Sequence, residues 1–509
     1  MPKQITSVLV KKYITEFGSD VFSADQNVLF CNFCETKVSV DKRFIVTQHL
    51  KTEKHKRAAK RVENHPSTSK ILTQQFITNA TKKSVFSHDL CKALLSANIP
   101  LNKLSNPYFK EFLSKYTGKD IPSESTLRKG YVNEIYENTI QKIRNYVQNK
   151  CIWVSIDETT DCTGRYVANV VIGILNDTES SNIFLLHSEE LEKCNHSTIC
   201  RLFDKSMNLL WPKSVQHDKV LLFISDAAPY MVKAGEAIKL FYSKVIHITC
   251  LAHAFHRIAE TVRTGYPKVD KLIANVKKVF RKAPSRIQYF KSIAPSLSLP
   301  PENILTRWGT WIKAANYYCE NFEQIKVIIN TFDDNDAVSI RNSKKYLSDQ
   351  NIEAQLVFIK SNFGFLPDLI TKLEKQGISL ADSIYIVEGA KKKLIQINGE
   401  IGEKIKIKID SVLSKNKGYQ AVLKISKILN GEENIDGIPE DFSLNDLTYM
   451  KNCPITSVDV ERSFSAYKNL LTSNRQSFKF ENIKKSLIVQ CNFQGKIIYK
   501  INSKNRYLK

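Results

Sequence analysis

Five short apolar runs stand out between residues 151 and 248: Cys151–Ile156 (CIWVSI), Tyr166–Leu175 (YVANVVIGIL), Ile183–His187, Val220–Ser225 (VLLFIS) and Val245–Ile248. Their length and richness in Val and Ile predict buried strands, and helical spacing near Ser197–Leu210 predicts a helix among them. A meander of strands followed by a helix and further strands indicates a mixed α/β sheet. Apolar positions on both sides of this region recur at helical spacing instead. Upstream, Leu90, Leu94 and Leu95 form one stripe and Ile135, Ile140, Ile143 and Val147 another, separated by the proline and capping residue types of Ile121–Thr126 (IPSEST). After Ala252 the helical pattern continues with Lys-rich faces to about residue 440. A further stripe, Val460, Phe464, Tyr467 and Leu471, then predicts a helix with Glu461 at its edge.

These patterns divide the chain into a Cys/His module (1–65), a polar Ser/Thr-rich linker (66–84), a helical preface (85–150), the first part of a sheet core (151–265), a helical stretch (266–440) and a closing segment that returns to the sheet (441–509). At 509 residues, with 42% apolar and 25% charged residues, the chain has the composition of a folded, multi-domain protein. Charge adds more. Seventy-five Lys and Arg against 51 Asp and Glu leave a formal +24, which favours phosphate-bearing partners, although a Lys-rich coding bias produces the same number. Eleven scattered cysteines point to a reducing compartment, the first residues lack the apolar core of a signal peptide, and no run reaches the length of a membrane span. Nucleus or cytosol is the expectation.

Two constellations carry candidate chemistry. Cys31 and Cys34, then His49 and His55, have the CxxC and Hx5H spacing that lets two thiolates and two imidazoles share one tetrahedral Zn2+. Phe30, Phe33 and Phe44 are expected beside the metal. The histidine-bearing helix is expected to run on through Leu50 into a basic face, Lys54, Lys56, Arg57, Lys60 and Arg61, suited to phosphates or simply solvated. The second constellation is acidic. Asp157 and Asp226 each close an apolar run, as carboxylates at strand ends do, and with Glu461 they would suffice to anchor Mg2+ or Mn2+ for phosphodiester exchange. Bland readings exist: a strand-end cap for Asp157, a surface ion pair with Lys468 or Arg462 for Glu461, and Glu158, Asp161 or Asp459 as the true acidic partner. Cys250 and His253, with His247 and His256 nearby, invite a second zinc site, and Trp308 and Trp311, three apart, read by default as core packing.

The module from Phe30 to Arg61 resembles a BED-type zinc finger and is most similar to the CGG triplet repeat-binding family, which implies DNA binding. From about residue 85 to 495 the ordered motifs Ser155-Ile-Asp157-Glu-Thr-Thr-Asp161, Ser225-Asp226-Ala-Ala-Pro-Tyr-Met231, Cys250-Leu-Ala-His253, Arg307-Trp308 and Ser457–Ser465 (SVDVERSFS) resemble the hAT-superfamily transposases. That resemblance implies an α/β ribonuclease H-like mixed sheet interrupted by a large all-helical insertion, with Asp157, Asp226 and Glu461 as metal-binding carboxylates. It also implies that Cys250 and His253 form the family's CxxH element, that Trp308 lies near flanking DNA and stacks on an extruded base, and that Pro454–Asn492 belongs to a C-terminal dimerisation region. One departure is that Glu-Thr-Thr follows Asp157 where many members carry tryptophan. The implied protein is a nuclear, self-associating DNA transposase or a transposase-derived DNA-binding protein, with no membrane and no small-molecule substrate. The alternative is a catalytically silent transcription or chromatin regulator acting by DNA binding and dimerisation.

Overall fold

A computed structural model describes residues 6–25, 28–34, 36–63, 84–176, 182–301, 309–435, 441–471 and 478–493. It divides into two compact units, Met1–Ser87 and His88–Lys509. In the first, a helix α1 (Thr6–Phe17) precedes an antiparallel sheet of β1 (Phe22–Asp25), β2 (Val28–Cys31) and β3 (Thr36–Val38), followed by helices α2 (Arg43–Lys51) and α3 (Glu53–Glu63). Its core is small: Val10, Tyr13, Phe22, Leu29, Val38, Val40 and Val46 surround Cys31.

The second unit begins with helices α4 (Val85–Ser96, which straddles the boundary), α5 (Pro107–Thr117), α6 (Glu124–Gly130) and α7 (Val132–Val147). Ser123 caps α6 by accepting from the Thr126 backbone N–H, and α7 buries Ile135, Ile140, Ile143 and Val147, the residues of the predicted stripe. Next come β4 (Cys151–Thr160), β5 (Tyr166–Leu175), β6 (Ile183–Leu191), α8 (His196–Leu210), β7 (Val220–Ser225), α9 (Pro229–Lys239), β8 (Ile246–Thr249) and α10 (Leu251–Gly265). The strands form one sheet in the order β6-β5-β4-β7-β8, antiparallel across β4, β5 and β6 and parallel across β4, β7 and β8. The central strands read as unbroken apolar runs because both faces are covered, so neither face needs alternating polar residues.

Successive residues of a strand point to opposite faces. One face receives Phe203 of α8, whose ring lies 5.5 Å from Phe223, while the other receives a late helix described below. Between α10 and that helix the chain is helical: α11 (Pro267–Phe280), α12 (Pro284–Ile293), α13 (Thr310–Glu320), α14 (Phe322–Asn330), α15 (Val338–Leu347), α16 (Gln350–Phe363), α17 (Leu366–Leu373), α18 (Leu380–Ile395), α19 (Glu400–Lys415), α20 (Lys417–Leu429) and α21 (Leu444–Tyr449). Last come α22 (Val458–Leu470) and α23 (Phe480–Phe493).

Both outer strands of the large sheet are closed by asparagine. Asn416, at the start of α20, accepts from the Thr249 N–H (3.1 Å) and donates to the Thr249 carbonyl (2.7 Å), and Asn492 of α23 makes the same pair with Leu185 (3.1 and 2.9 Å). An edge strand exposes a row of unpaired backbone groups, and each carboxamide here satisfies a donor and an acceptor at once. Gly418 lets α20 approach this closely, because a Cβ there would lie 2.0 Å from the His247 carbonyl oxygen.

The predicted strand Cys151–Ile156 runs on to Thr160, pairing Asp157 with Asn169 and Thr160 with Tyr166. Asp157 therefore does not end the strand. It lies just beyond the parallel pairing with β7, whose final register is Ser155 with Ile224, and the antiparallel hairpin to β5 carries β4 further. Asn416 is 3% exposed, so Asn416→Ala is expected to strand both Thr249 groups and to cost about 1–3 kcal/mol in urea unfolding. A loss below about 0.5 kcal/mol would show that the edge is satisfied in another way.

Candidate metal centres

In the first unit Cys31 ends β2 and Cys34 sits in the turn to β3, its N–H directed at the Cys31 Sγ (3.5 Å). His49 lies in the last turn of α2 and His55 in the first turn of α3. The expected single helix is two. Residues six apart on a continuous helix are rotated by about 240°, so the two imidazoles would point away from one another. Thr52 breaks the helix with an extended ψ of 143°. Its hydroxyl donates to the His49 carbonyl (2.8 Å) and accepts from the His55 N–H (3.2 Å), capping α3.

The break brings all four side chains together. His55 Nδ1 is 3.3 Å from both sulfurs, and the four ligand atoms lie within 4.8 Å of one another. A tetrahedral zinc with bonds near 2.0–2.3 Å sets its ligand atoms about 3.3–3.8 Å apart. The donors fit such a group. His49 Nε2 is buried without a hydrogen-bond partner among the described residues, and burial, with His55 and Lys54 adding to it, lowers the His49 pKa. Burial likewise lowers His55, so both rings are neutral donors. Burial and the neighbouring Cys31 push the Cys34 thiol up to about 11, a cost that a cation removes.

Phe33 lies edge-on to His55 (5.7 Å), but Phe44 is 70% exposed, and its expected place beside the cluster belongs to Phe22, 6.2 Å from His49. Phe44 falls on the first turn of α2, where the buried face is taken by Val46. Lys54, Lys56 and Arg57 are exposed on α3, with Lys56 3.3 Å from Glu53. The side chains of Lys60 and Arg61 lie outside the described residues, as does Trp308.

In the second unit Asp157 faces Asn169, and Asn169 Nδ2 donates to Ser463 Oγ of α22 (2.7 Å), so α22 covers the face to which Asp157 points. Glu461, on the first turn of α22, reaches the same place. Ligand atoms of Asp157, Glu461 and His253 lie within 4.8 Å of one another, with His253 Nε2 3.7 Å from Glu461 Oε1. Asp226 is outside this tight group. Continuing the β4–β7 register places it beside Asp157, and its Oδ1 accepts from the Ala228 N–H (3.1 Å) at the turn into α9. Glu158, on the opposite face of β4, accepts from the Tyr230 hydroxyl of α9.

Asp157 is 6% exposed, and its Oδ1 accepts from the Glu158 N–H (2.9 Å) while its Oδ2 has no partner among the described residues. Burial raises its pKa well above the ordinary carboxylate range, and the charges of Glu461, Glu158 and Asp226 push the same way. A buried carboxyl oxygen with no donor, facing a second carboxylate and an imidazole, is what a divalent cation would complete.

Four contacts hold α22 there. Tyr467 donates to Asp161 (2.9 Å), Ser463 accepts from Asn169, Leu251 N–H donates to the Ile455 carbonyl (3.1 Å), and the Ser457 N–H donates to the Cys250 sulfur (3.2 Å). Burial raises the Asp161 carboxyl, but hydrogen bonds from Thr163 and Arg165 outweigh it and hold the group well below the usual range. The competing carboxylates thus have structural partners: Asp161 binds Arg165 and Tyr467, and Asp459 binds Gln376 (2.6 Å) and Arg462 (2.7 Å). Glu158 keeps one oxygen without a partner among the described residues on the other face.

Cys250 is a buried thiol anchoring the start of α22, and His247 stacks on Phe223 and bonds Ser225 Oγ (2.9 Å). Neither they nor His256 join a metal-ligand cluster among the described residues. Trp311 is buried and donates to Asp270 (2.9 Å), a core role. Sequence reasoning missed the placing of His253 in the acidic group, although its Cys-x-x-His spacing, one helical turn after an anchored thiol, carried the signal.

Comparison with known proteins accounts for the first part of the chain. Residues 4–61 match the CGGBP1 N-terminal domain and residues 78–134 the CGGBP1 helical domain. CGG triplet repeat-binding protein 1 of Homo sapiens is 32% identical over 141 residues, 26% of this chain and 83% of that protein. Its Mus musculus counterpart is 32% identical over 135 residues, 25% of this chain and 80% of that protein. The chain belongs to the CGG triplet repeat-binding protein family. Within this family member, residues 122–279 also match a domain of unknown function, DUF659. Asp157, Asp226, Cys250 and His253 fall inside that match, whereas Glu461 is brought to Asp157 and His253 from outside it.

Ionising the buried Asp157 carboxyl, whose Oδ2 has no partner among the described residues, costs stability. Because its native pKa is raised, stability declines as pH rises from the ordinary carboxylate value near 4 toward the native one. Asp157→Asn, in zinc-loaded protein without other divalent cations, is expected to raise the unfolding midpoint at neutral pH by about 2 °C or more, with no gain below about pH 4. A variant less stable than wild type at neutral pH would contradict this account of the site.

Proposed function

We propose that this protein is a nuclear, self-associating DNA-binding protein whose second unit is an hAT-type transposase core capable of metal-dependent DNA cleavage and strand transfer. The observation that carries the reading is the meeting of Asp157 and Glu461, about three hundred residues apart in sequence, around an unpartnered buried carboxyl oxygen. Counting its strands in chain order, the sheet runs 3-2-1-4-5 with the first strand central, an arrangement that supports a ribonuclease H-like core. The helices from α11 to α20 are then an insertion between α10 and the segment bearing Glu461.

In this reading Asp157, Asp226 and Glu461 hold Mg2+ or Mn2+, which when bound supplies Lewis-acid activation of water and of the phosphodiester. The Cys31, Cys34, His49 and His55 group holds structural Zn2+ in a BED-like finger, and the exposed Lys54, Lys56 and Arg57 of α3 contact the DNA backbone, as the formal +24 favours. The relatives named for CGG triplet repeats make CG-rich DNA the first target to try. A second reading, a regulator that binds DNA without cutting it, is favoured by one observation: the family relationship covers the finger and helical domain and stops before the acidic centre.

Two measurements separate these readings. With Mn2+ or Mg2+, the wild type is expected to nick DNA bearing candidate target ends, and Asp157→Ala and Glu461→Ala to lower the rate at least about 100-fold. Equal activity in wild type and variants would remove the catalytic assignment. Cys31→Ser is expected to abolish site-specific binding in a gel-shift assay, whereas Asp226→Ala leaves it intact. Retained binding by Cys31→Ser would take recognition away from the finger.

A further inference from the structure

The acidic centre differs from an all-carboxylate cation site by the imidazole inside it. His253 stands on the first turn of α10, and that turn is anchored on two sides: the Cys250 N–H donates to the Ser225 carbonyl at the end of β7 (2.8 Å), and the Cys250 sulfur accepts from Ser457 beside Glu461 (3.2 Å). Helix α10 is thereby fixed to the strand preceding Asp226 and to the helix carrying Glu461. The 3.7 Å between His253 Nε2 and Glu461 Oε1 is long for a direct hydrogen bond. It is close to the roughly 3.0–3.6 Å that separates two donors on one cation with bonds near 2.1 Å. An ion pair is the bland alternative, but it leaves unexplained why the Asp157 carboxylate converges on the same two side chains. The Asp157 Oδ2, buried and without a partner among the described residues, supplies an oxygen to the same space.

We propose that His253 is itself a metal ligand, completing with Asp157 and Glu461 a mixed nitrogen–oxygen site that takes first-row transition cations, Mn2+ among them, in preference to Mg2+. The inference rests on the metal-site reading above and adds a ligand and a selectivity to it. The physical reason is donor hardness. Mg2+ takes oxygen donors in a strict octahedron and sheds water reluctantly, whereas first-row transition ions accept imidazole readily.

The test uses the full chain with zinc already loaded, titrated with Mn2+ and followed by electron paramagnetic resonance, with 14N modulation read by electron spin-echo spectroscopy. Wild type is expected to bind Mn2+ with a nitrogen signal. His253→Gln should lose that signal and bind Mn2+ at least about tenfold more weakly, since even outer-shell losses cost that much. Its affinity for Mg2+, read by competition, should change less than about threefold. His253→Asp guards against a fold defect: it should bind Mn2+ without the nitrogen signal and shift preference toward Mg2+. Mn2+ bound by wild type without 14N coupling, but lost in Asp157→Asn, would overturn the imidazole ligand and leave the carboxylate site standing. Absence of any Asp157-dependent Mn2+ binding would sink the site reading and this inference together.

Discussion

Helix α22 has to lie flat against the sheet face that carries Asp157, and the acidic centre depends on that docking. Glu461 comes from a segment separated from β4 by the long run of helices, and no local contact brings it back. Four contacts do so. Tyr467 meets Asp161 at the hairpin, Ser463 meets Asn169 on β5, and the Cys250–Leu251 backbone and thiol meet Ile455 and Ser457. Asp459, one turn from these, accepts from Gln376 in the connection between α17 and α18 and from Arg462 of its own helix. Asp161 and Asp459 are thus satisfied by donors and build the scaffold, whereas Asp157, and Glu158 on the opposite face of β4, each keep an oxygen without a partner among the described residues.

That sorting has an energetic meaning. Burying an unpaired carboxyl beside other acids costs stability, and folds keep such groups where something outside the chain completes them. The surrounding structure offsets the cost with a sheet buried on both faces, on whose outer strands Asn416 and Asn492 each pair the backbone of one residue, Thr249 and Leu185. The finger follows the same logic at smaller scale. Its few core residues wrap a thiol pair and two neutral imidazoles that repel or desolvate one another until a cation is shared among them.

Much of this architecture was legible in the chain. Unbroken apolar runs placed the strands to within a few residues, helical spacing placed α7 and α22, and the CxxC with paired histidines named the four side chains that could hold a metal, because each of these signals is local and periodic or fixed in spacing. Asp157 and Asp226 stood out by the apolar runs they close and Glu461 by the helical stripe it edges, while their order along the chain also resembles the motifs of a known family.

What the sequence alone determined, then, was which residues are apolar, which are donors to a metal, and how many bonds separate neighbours. Tertiary structure decided the rest. It broke the helix at Thr52 so that two imidazoles six residues apart converge with the two thiols, extended β4 past Asp157 by hairpin pairing, turned Phe44 outward in favour of Phe22, and set His253 beside Glu461. Each of these depends on where one element packs against another distant in the chain, and such packing is set by the free energy of the whole assembly rather than by the spacing of residues along it.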